Sequence, residues 1–184
     1  PKTDGGFRPI GLFPTIIRLW MRSRIFIAKE WEASTANPTI FGGPGKGAQA
    51  AAYQTALVAD MANLAEDAFA ASLPDLVKAF ETVPHRELVQ AARDKGYSLI
   101  ILRLSIAAYR LARSVGIDGI YAERVRATRG ITAGSGFATS ELRVLLIGLI
   151  ETLHIKWARI LIVKLYVDDL TLAVCGSSQF VVFT

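Results

Sequence analysis

Sulfur and imidazole are scarce in this chain: its 184 residues hold one cysteine, Cys175, and two histidines, His85 and His154. A lone thiol closes no internal disulfide and anchors no zinc cluster, and a reducing compartment follows as the default. The two histidines stand far apart without the ligand company a metal site needs, and are expected as polar helix residues. Cys175 follows an apolar run and is expected to be a small buried hydrophobe. Long uncharged stretches are missing too. The mean hydropathy is positive at +0.35, yet the richest apolar segment, Val144 to Ile150, is followed by Glu151, His154 and Lys156. No uncharged run reaches the roughly 18 residues that spanning a bilayer requires. Nothing at the N-terminus reads as a signal peptide, and neither an internal repeat nor a low-complexity linker is present.

What is there describes a folded chain. Apolar residues make up 52% and charged residues 20%, proportions that support a core and argue against disorder. The length suits one sizeable domain or two small lobes. A net charge of +5 and a pI near 9.6 permit a polyanionic partner without requiring one. The chain opens on Pro1 and closes on Thr184, just after the apolar run Phe180 to Phe183. Both ends read as cuts through a longer protein.

Along the chain, Pro1 to Gly11 reads as a loop between extended pieces. Ile16 to Trp31 has helical apolar spacing with Arg18, Arg22, Arg24 and Lys29 interleaved. These cations can lie along a nucleic-acid backbone or form an ordinary solvated face. Asn37 to Gly47 is a loop, and Ala48 to Glu66 an Ala-rich helix. Phe69 to Leu73 suits a short buried strand. Pro84 to Lys95 starts and stops as a helix should, with Gly96 beyond it. A second helix is expected over Ser98 to Val115, an extended segment over Gly119 to Arg129, and a long helix over Ser135 to Trp157. Two β-rich runs, Ile160 to Val167 and Leu170 to Val174, hinge on Asp168 and Asp169. The mixture predicts an α+β fold with an antiparallel sheet backed by helices.

Three acids stand out. Asp168 and Asp169 lie between two apolar runs, where burying charge is costly unless it is paired or metal-bound. A solvated turn is the ordinary alternative. Asp75 ends a short apolar strand and, taken alone, reads as a cap or turn residue. Two strands ending in carboxylates can, however, lie side by side and converge on hard cations. Mg²⁺ takes oxygen ligands, with substrate phosphates completing its shell. Two such ions about 4 Å apart can activate an attacking hydroxyl and stabilise a leaving pyrophosphate.

At these residues the chain resembles the reverse transcriptases, especially those of non-LTR retrotransposons. Asp75-Leu76-Val77-Lys78-Ala79-Phe80-Glu81-Thr82-Val83-Pro84-His85 looks like the family's first catalytic motif. Leu165-Tyr166-Val167-Asp168-Asp169 resembles its Tyr-x-Asp-Asp hairpin. Arg129-Gly130-Ile131-Thr132-Ala133-Gly134-Ser135-Gly136 resembles the Arg-Gly-Val-x-Gln-Gly motif that opens a helix beneath template and nucleotide. Upstream, Phe7-Arg8-Pro9-Ile10 matches an Arg-Pro-Ile of the fingers, and Phe41-Gly42 sits where the family has Gly-Phe before an Ala-rich helix. Each motif is weak alone. Their shared order, from Lys2 to Cys175, is specific.

The resemblance implies a palm over residues 69–184 and partial fingers, with some palm-proximal helix, over residues 1–68. It implies RNA-templated addition of deoxynucleoside triphosphates to a DNA primer 3′-end, in an intracellular setting, nuclear or cytoplasmic, with no membrane and no secretion. Asp75 and Asp168 would hold two Mg²⁺ ions, with Asp169 as the third acid and the Leu76 carbonyl completing one shell. Lys2 and Arg8 would meet the incoming triphosphate, and Gly134 would sit against the nucleotide. Phe80 would stand under the sugar and bar a 2′-hydroxyl; on spacing alone it reads as a core residue. No thumb follows Thr184 and the fingers begin mid-motif, so the bare chain is expected to polymerise poorly or not at all.

Departures from the family pattern are specific. Ala133 stands where Gln is usual, Gly136 where Pro is usual, and Glu81 replaces a second Asp. Pro74, just before the catalytic-motif Asp, removes a strand donor, so the strand must end there or lie at an edge. These changes keep a decayed, nucleic-acid-binding remnant in view. A group II intron-type enzyme and a viral RNA-templated RNA polymerase are the nearest rivals, and Phe80 speaks against the latter. Gly42 to Gly47 has the look of a phosphate loop but lacks the Ser or Thr after Lys46. Gly134-Ser135-Gly136 does not complete a dinucleotide fingerprint.

Overall fold

The computed structural model describes residues 10–43 and 45–177. Among the described residues, five helices and five strands are mixed along the chain in an α+β order. Two compact units divide the chain: one takes residues 1–33 and 78–145, the other 34–77 and 146–184. The units are interleaved in sequence, so neither coincides with residues 1–68 or 69–184. No helix among the described residues is long and apolar enough to cross a membrane.

In the first unit, α1 (Thr15–Ser34) buries Met21, Ala28 and Trp31 and leaves Arg18, Arg22, Arg24 and Lys29 exposed. Trp31 anchors the helix: its indole N–H donates to the Lys95 carbonyl at 2.8 Å and its ring meets Tyr97 edge-on at 5.1 Å. The second helix of this unit, α3 (His85–Asp94), begins after Pro84, with Glu87 in its first turn and Arg93 in its last, both matched to the helix dipole. It buries His85, Leu88 and Ala92.

The next helix, α4 (Leu99–Tyr109), is capped by Ser98, whose hydroxyl accepts from the Ile101 N–H. It stops well short of Val115, correcting the longer helix expected from the apolar stripe. Beyond Tyr109 the chain turns, and Arg113 bridges to Val125 while its guanidinium donates to the Tyr109 carbonyl at 3.1 Å. A carbonyl left open by the helix end is thus satisfied from outside it.

Of the segment expected to be extended over Gly119 to Arg129, Ile120 and Tyr121 form β3 (Ile120–Tyr121) against β2 (Gly116–Ile117), and Val125 bridges to Arg113. Asp118 and Gly119 between the two strands have φ of +50° and +81°, the left-handed pair of a type I′ hairpin turn.

The second unit is built on a three-stranded antiparallel sheet in the order β1 (Ala68–Ser72), β5 (Asp169–Gly176), β4 (Ile162–Tyr166). β1 is an edge strand ending two residues before Pro74. Its outer residues are exposed, where a buried strand was expected. On one face of β4, Val163 and Leu165 pack with Ile40 and with Ile147 and Ile150 of α5 (Ala138–Trp157). The first eight residues of α5 belong to the other unit. Side chains alternate along a strand, so Lys164 and Tyr166 take the opposite face, where α2 (Ala48–Leu64) packs on the sheet. Cys175 is exposed, against expectation. The β4 ladder begins at Ile162, opposite Ala173, so Cys175 lies past it and pairs only with Phe69 of β1.

Candidate functional site

The β4–β5 hairpin is closed by Tyr166 opposite Asp169, with Val167 and Asp168 as its two-residue turn. Val167 has a φ of +59°. A β-branched residue in the left-handed region is a true outlier, and such positions cost of order 1–3 kcal/mol and cluster at functional sites. The strain falls inside the Tyr-x-Asp-Asp run.

Beside this turn lies a cavity of about 630 Å³, lined by Asp75, Asp169, Lys164, Tyr166, Leu73, Pro74 and the α2 residues Ala48, Ala51, Ala52, Thr55 and Ala56, among others. The α2 residues recur at the spacing of one helix face, and their small side chains leave the space unfilled. Cross-strand pairing puts Tyr166 and Asp169 on the face that Lys164 and Thr171 share. Asp75 reaches the same wall from the end of β1. Asp75 and Asp169, distant in sequence, therefore line one space.

Asp168 is half-buried in the turn and is not part of the cavity wall. Among the described residues no three Asp, Glu, His or Cys side chains gather closely enough to hold a metal ion. The three acids that the motifs single out form, in this structure, a pair on a cavity and a third at the adjoining turn. Their donors are all oxygens. That suits Mg²⁺, which is commonly held by one or two carboxylates with substrate phosphates completing the shell, and not by a preformed protein cage. Asp75 is exposed and Leu76 half-buried.

Lys164 was not singled out by the sequence. Its ammonium donates to the Thr55 hydroxyl at 2.9 Å and the Ala51 carbonyl at 3.3 Å, fastening α2 to the sheet. Burial lowers its pKa. A lysine between Val163 and Leu165, in a strand whose other residues are apolar, was the available signal. Lys46 of the glycine-rich loop donates to the Asn37 and Ile40 carbonyls, both at 2.9 Å, so a structural role occupies it.

Phe41 and Gly42 lie in the second unit, and Phe80, Gly130 and Gly134 in the first. Phe80 is half-buried in a turn, and its carbonyl accepts the Ile131 N–H at 2.7 Å. The Gly130 N–H likewise donates to Val83 at 2.7 Å. Gly130 has φ +92°, and a Cβ there would lie 2.6 Å from the Glu81 carbonyl oxygen. At Gly134, φ is +102° and a Cβ would lie 2.4 Å from the Gly11 oxygen. Only glycine fits either place. The first and third motifs are thus stitched together through backbone. Lys2 and Arg8 fall outside the described residues.

His85 completes the stitch, a role its isolation in the sequence concealed. Its Nδ1 accepts from the Arg110 Nε–H at 3.1 Å, so Nε2 carries the hydrogen and donates to the Gly130 carbonyl at 2.9 Å. Replacing His85 with Ala leaves that buried carbonyl without its donor, and is expected to cost about 2 kcal/mol. Urea unfolding of the variant at neutral pH measures this.

The loop carrying Gly134 is held from below. The Tyr109 hydroxyl lies 2.8 Å from the Ser135 hydroxyl and 2.5 Å from a Glu141 carboxylate oxygen. Glu141 is wholly buried in the first turn of α5. Burial pushes its pKa up to about 7, against the opposing pull of the Tyr109 and Ser105 hydroxyls.

The α+β fold recurs among solved structures. One of those that match is apo telomerase from Candida tropicalis, truncated from its C-terminal domain. The likeness has a TM-score of 0.59 at 10% identity and covers 89% of this chain. This chain spans 35% of the length of that one. No family model matches the sequence, and no curated protein does.

Proposed function

We propose that this chain is the palm, with part of the fingers, of a reverse transcriptase of the non-LTR retrotransposon type. It would add deoxynucleotides to a DNA primer 3′-end on an RNA template. The observation that carries this reading is the meeting of Asp75 and Asp169 on one cavity at the hairpin turn. The order of the five motifs and the likeness of fold to apo telomerase support it. Asp75, Asp168 and Asp169, with the Leu76 carbonyl, would hold two Mg²⁺ ions, which when bound supply charge neutralisation for nucleotidyl transfer. The chain's own task is positioning and electrostatics. Gly134 would sit against the nucleotide, Lys2 and Arg8 would meet the triphosphate, and Phe80 would stand under the sugar.

The test is a Mg²⁺ titration of the chain followed through the side-chain carboxyl resonances of its aspartates. The Asp75 and Asp168 signals are expected to move together, and Asp75→Asn to weaken the ion about tenfold, the effect of removing one charged oxygen ligand from a shell that has few. Independent responses of the two, or none, would overturn the site. Ala133 in place of the usual glutamine favours a second reading, a remnant that binds nucleic acid without polymerising. Primer extension by the full reading frame that carries this chain separates the two.

A further inference from the structure

Outside the motifs, the first unit carries a surface that the polymerase site does not use. We propose that the β2–β3 hairpin, with the arginines that follow it, is a docking surface for single-stranded nucleic acid. In it, Tyr121 stacks on an unpaired base while Arg124 and Arg126 meet the phosphates. The proposal goes beyond the polymerase reading and rests on it only for the nucleic-acid class of the partner.

Tyr121 is 75% exposed, and its ring lies against the hairpin's own backbone. It is the register partner of Gly116 and lies over that residue's α-carbon, so closely that a Cβ built there would sit 2.7 Å from Cε1 and 2.8 Å from Cδ1. Only a residue without a side chain lets the ring settle on the backbone in this way. The result is an aromatic plate, fixed on a tight hairpin and open to solvent. Every base has a π-face, so such a plate accepts any base without reading its edge. Ile117 and Ile120 pair on the opposite face and are also exposed, at 52% and 78%. A soluble surface does not ordinarily place three large apolar side chains on six residues without a partner to cover them.

Charge decides which partner. Arg124, Arg126 and Arg129 follow the hairpin and are all exposed, against Asp118 at its tip and Glu123. Among the described residues, the unit takes 15 of the 19 Lys and Arg but only eight of the 15 acids. A polyanion is favoured over an apolar protein face, and an aromatic plate favours unstacked bases over a duplex whose bases are already stacked.

The experiment is fluorescence anisotropy with labelled oligo-dT and oligo-rU of about 20 nucleotides, longer than the site a single-strand platform covers. EDTA is present throughout, so that no metal site contributes. The 184-residue chain is expected to bind both oligomers within a factor of a few, and a blunt duplex more weakly. Tyr121→Leu, which keeps apolar bulk and removes the ring, is expected to weaken binding about tenfold, while Tyr121→Trp retains it. Arg124→Glu together with Arg126→Glu should flatten the dependence of affinity on salt. Equal affinity of Tyr121→Leu and the parent, a preference for duplex, or capture of an acidic protein with no oligomer binding would each overturn the proposal. Thermal melts of all variants confirm that the fold is kept. The Mg²⁺ response of the Asp75 and Asp168 carboxyls is expected to be the same in Tyr121→Leu as in the parent, so failure of the hairpin and failure of the polymerase site give different results.

Discussion

Between pH 4.5 and pH 8 the stability of the wild-type chain is expected to fall relative to Glu141→Gln by about 3 kcal/mol. The cause is the buried carboxyl. Glu141 is pushed up to about 7 by desolvation, whereas an unfolded chain returns it to about 4.3. Across that window the folded state binds the proton more tightly than the unfolded state does. Stability from this group is therefore fully present below the unfolded pKa, is lost as pH rises through about 7, and is flat above it. Glutamine keeps an acceptor for the Tyr109 hydroxyl and has no proton to lose. The groups around the site are Tyr109 and Ser105 from α4, with Tyr97 near Glu141 and Glu32. Burial, aided by Glu141, raises both tyrosines far above their ordinary value, so neither titrates in this range. Urea midpoints of the two proteins at successive pH values give the difference directly. Parallel curves would show that Glu141 stays ionised in the fold.

Phe80→Ala is expected to admit ribonucleotides in the full reading frame that carries this chain. If the ring stands under the sugar, its removal relieves a clash and supplies no new hydrogen bond. The kcat/KM for a ribonucleotide should then rise by about ten- to a hundredfold, about 1.4–2.7 kcal/mol of discrimination, with little change for the deoxynucleotide. The structure supplies the competing outcome. Phe80 is half-buried and its carbonyl holds Ile131, so a purely structural ring would be missed in stability. Complete burial would put that loss at about 3–5 kcal/mol, and partial burial puts it lower. Both nucleotide classes would then lose activity together. Paired single-nucleotide incorporations alongside a melting curve separate the two, and unchanged sugar discrimination in a folded variant would refute the gate.

Where the chain carries strong punctuation, its structure was legible. Pro84 and Gly96 bracket α3, and Asp118-Gly119 makes the hairpin turn that such a pair favours. Periodicity failed where it continued past a helix that tertiary contacts end. Leu111 and Val115 extend the apolar stripe of α4, but the pairing of Arg113 with Val125 takes the chain elsewhere. The three acids were visible in the sequence because acids between apolar runs need explaining, and two of them, Asp75 and Asp169, line the cavity. Glu141 was not visible, since a glutamate in a helix reads as solvated until its burial is known. Nor was His85, whose partners Gly130 and Arg110 are distant in sequence. Lys164 could have been found, being the only charge in its strand.

Pro74 has a consequence for how this sheet meets other chains. Among the described residues β1 pairs on one side only, with β5, so its outer row of amides and carbonyls is a seat for a visiting strand. A proline has no amide hydrogen to offer such a visitor. Intermolecular zippering along β1 can thus run to Ser72 and meets a missing donor at Pro74, one residue before Asp75. Asp75, the residue after that proline, lines the cavity, so the sheet's open edge and the candidate site are parted by a residue that offers a ladder no donor.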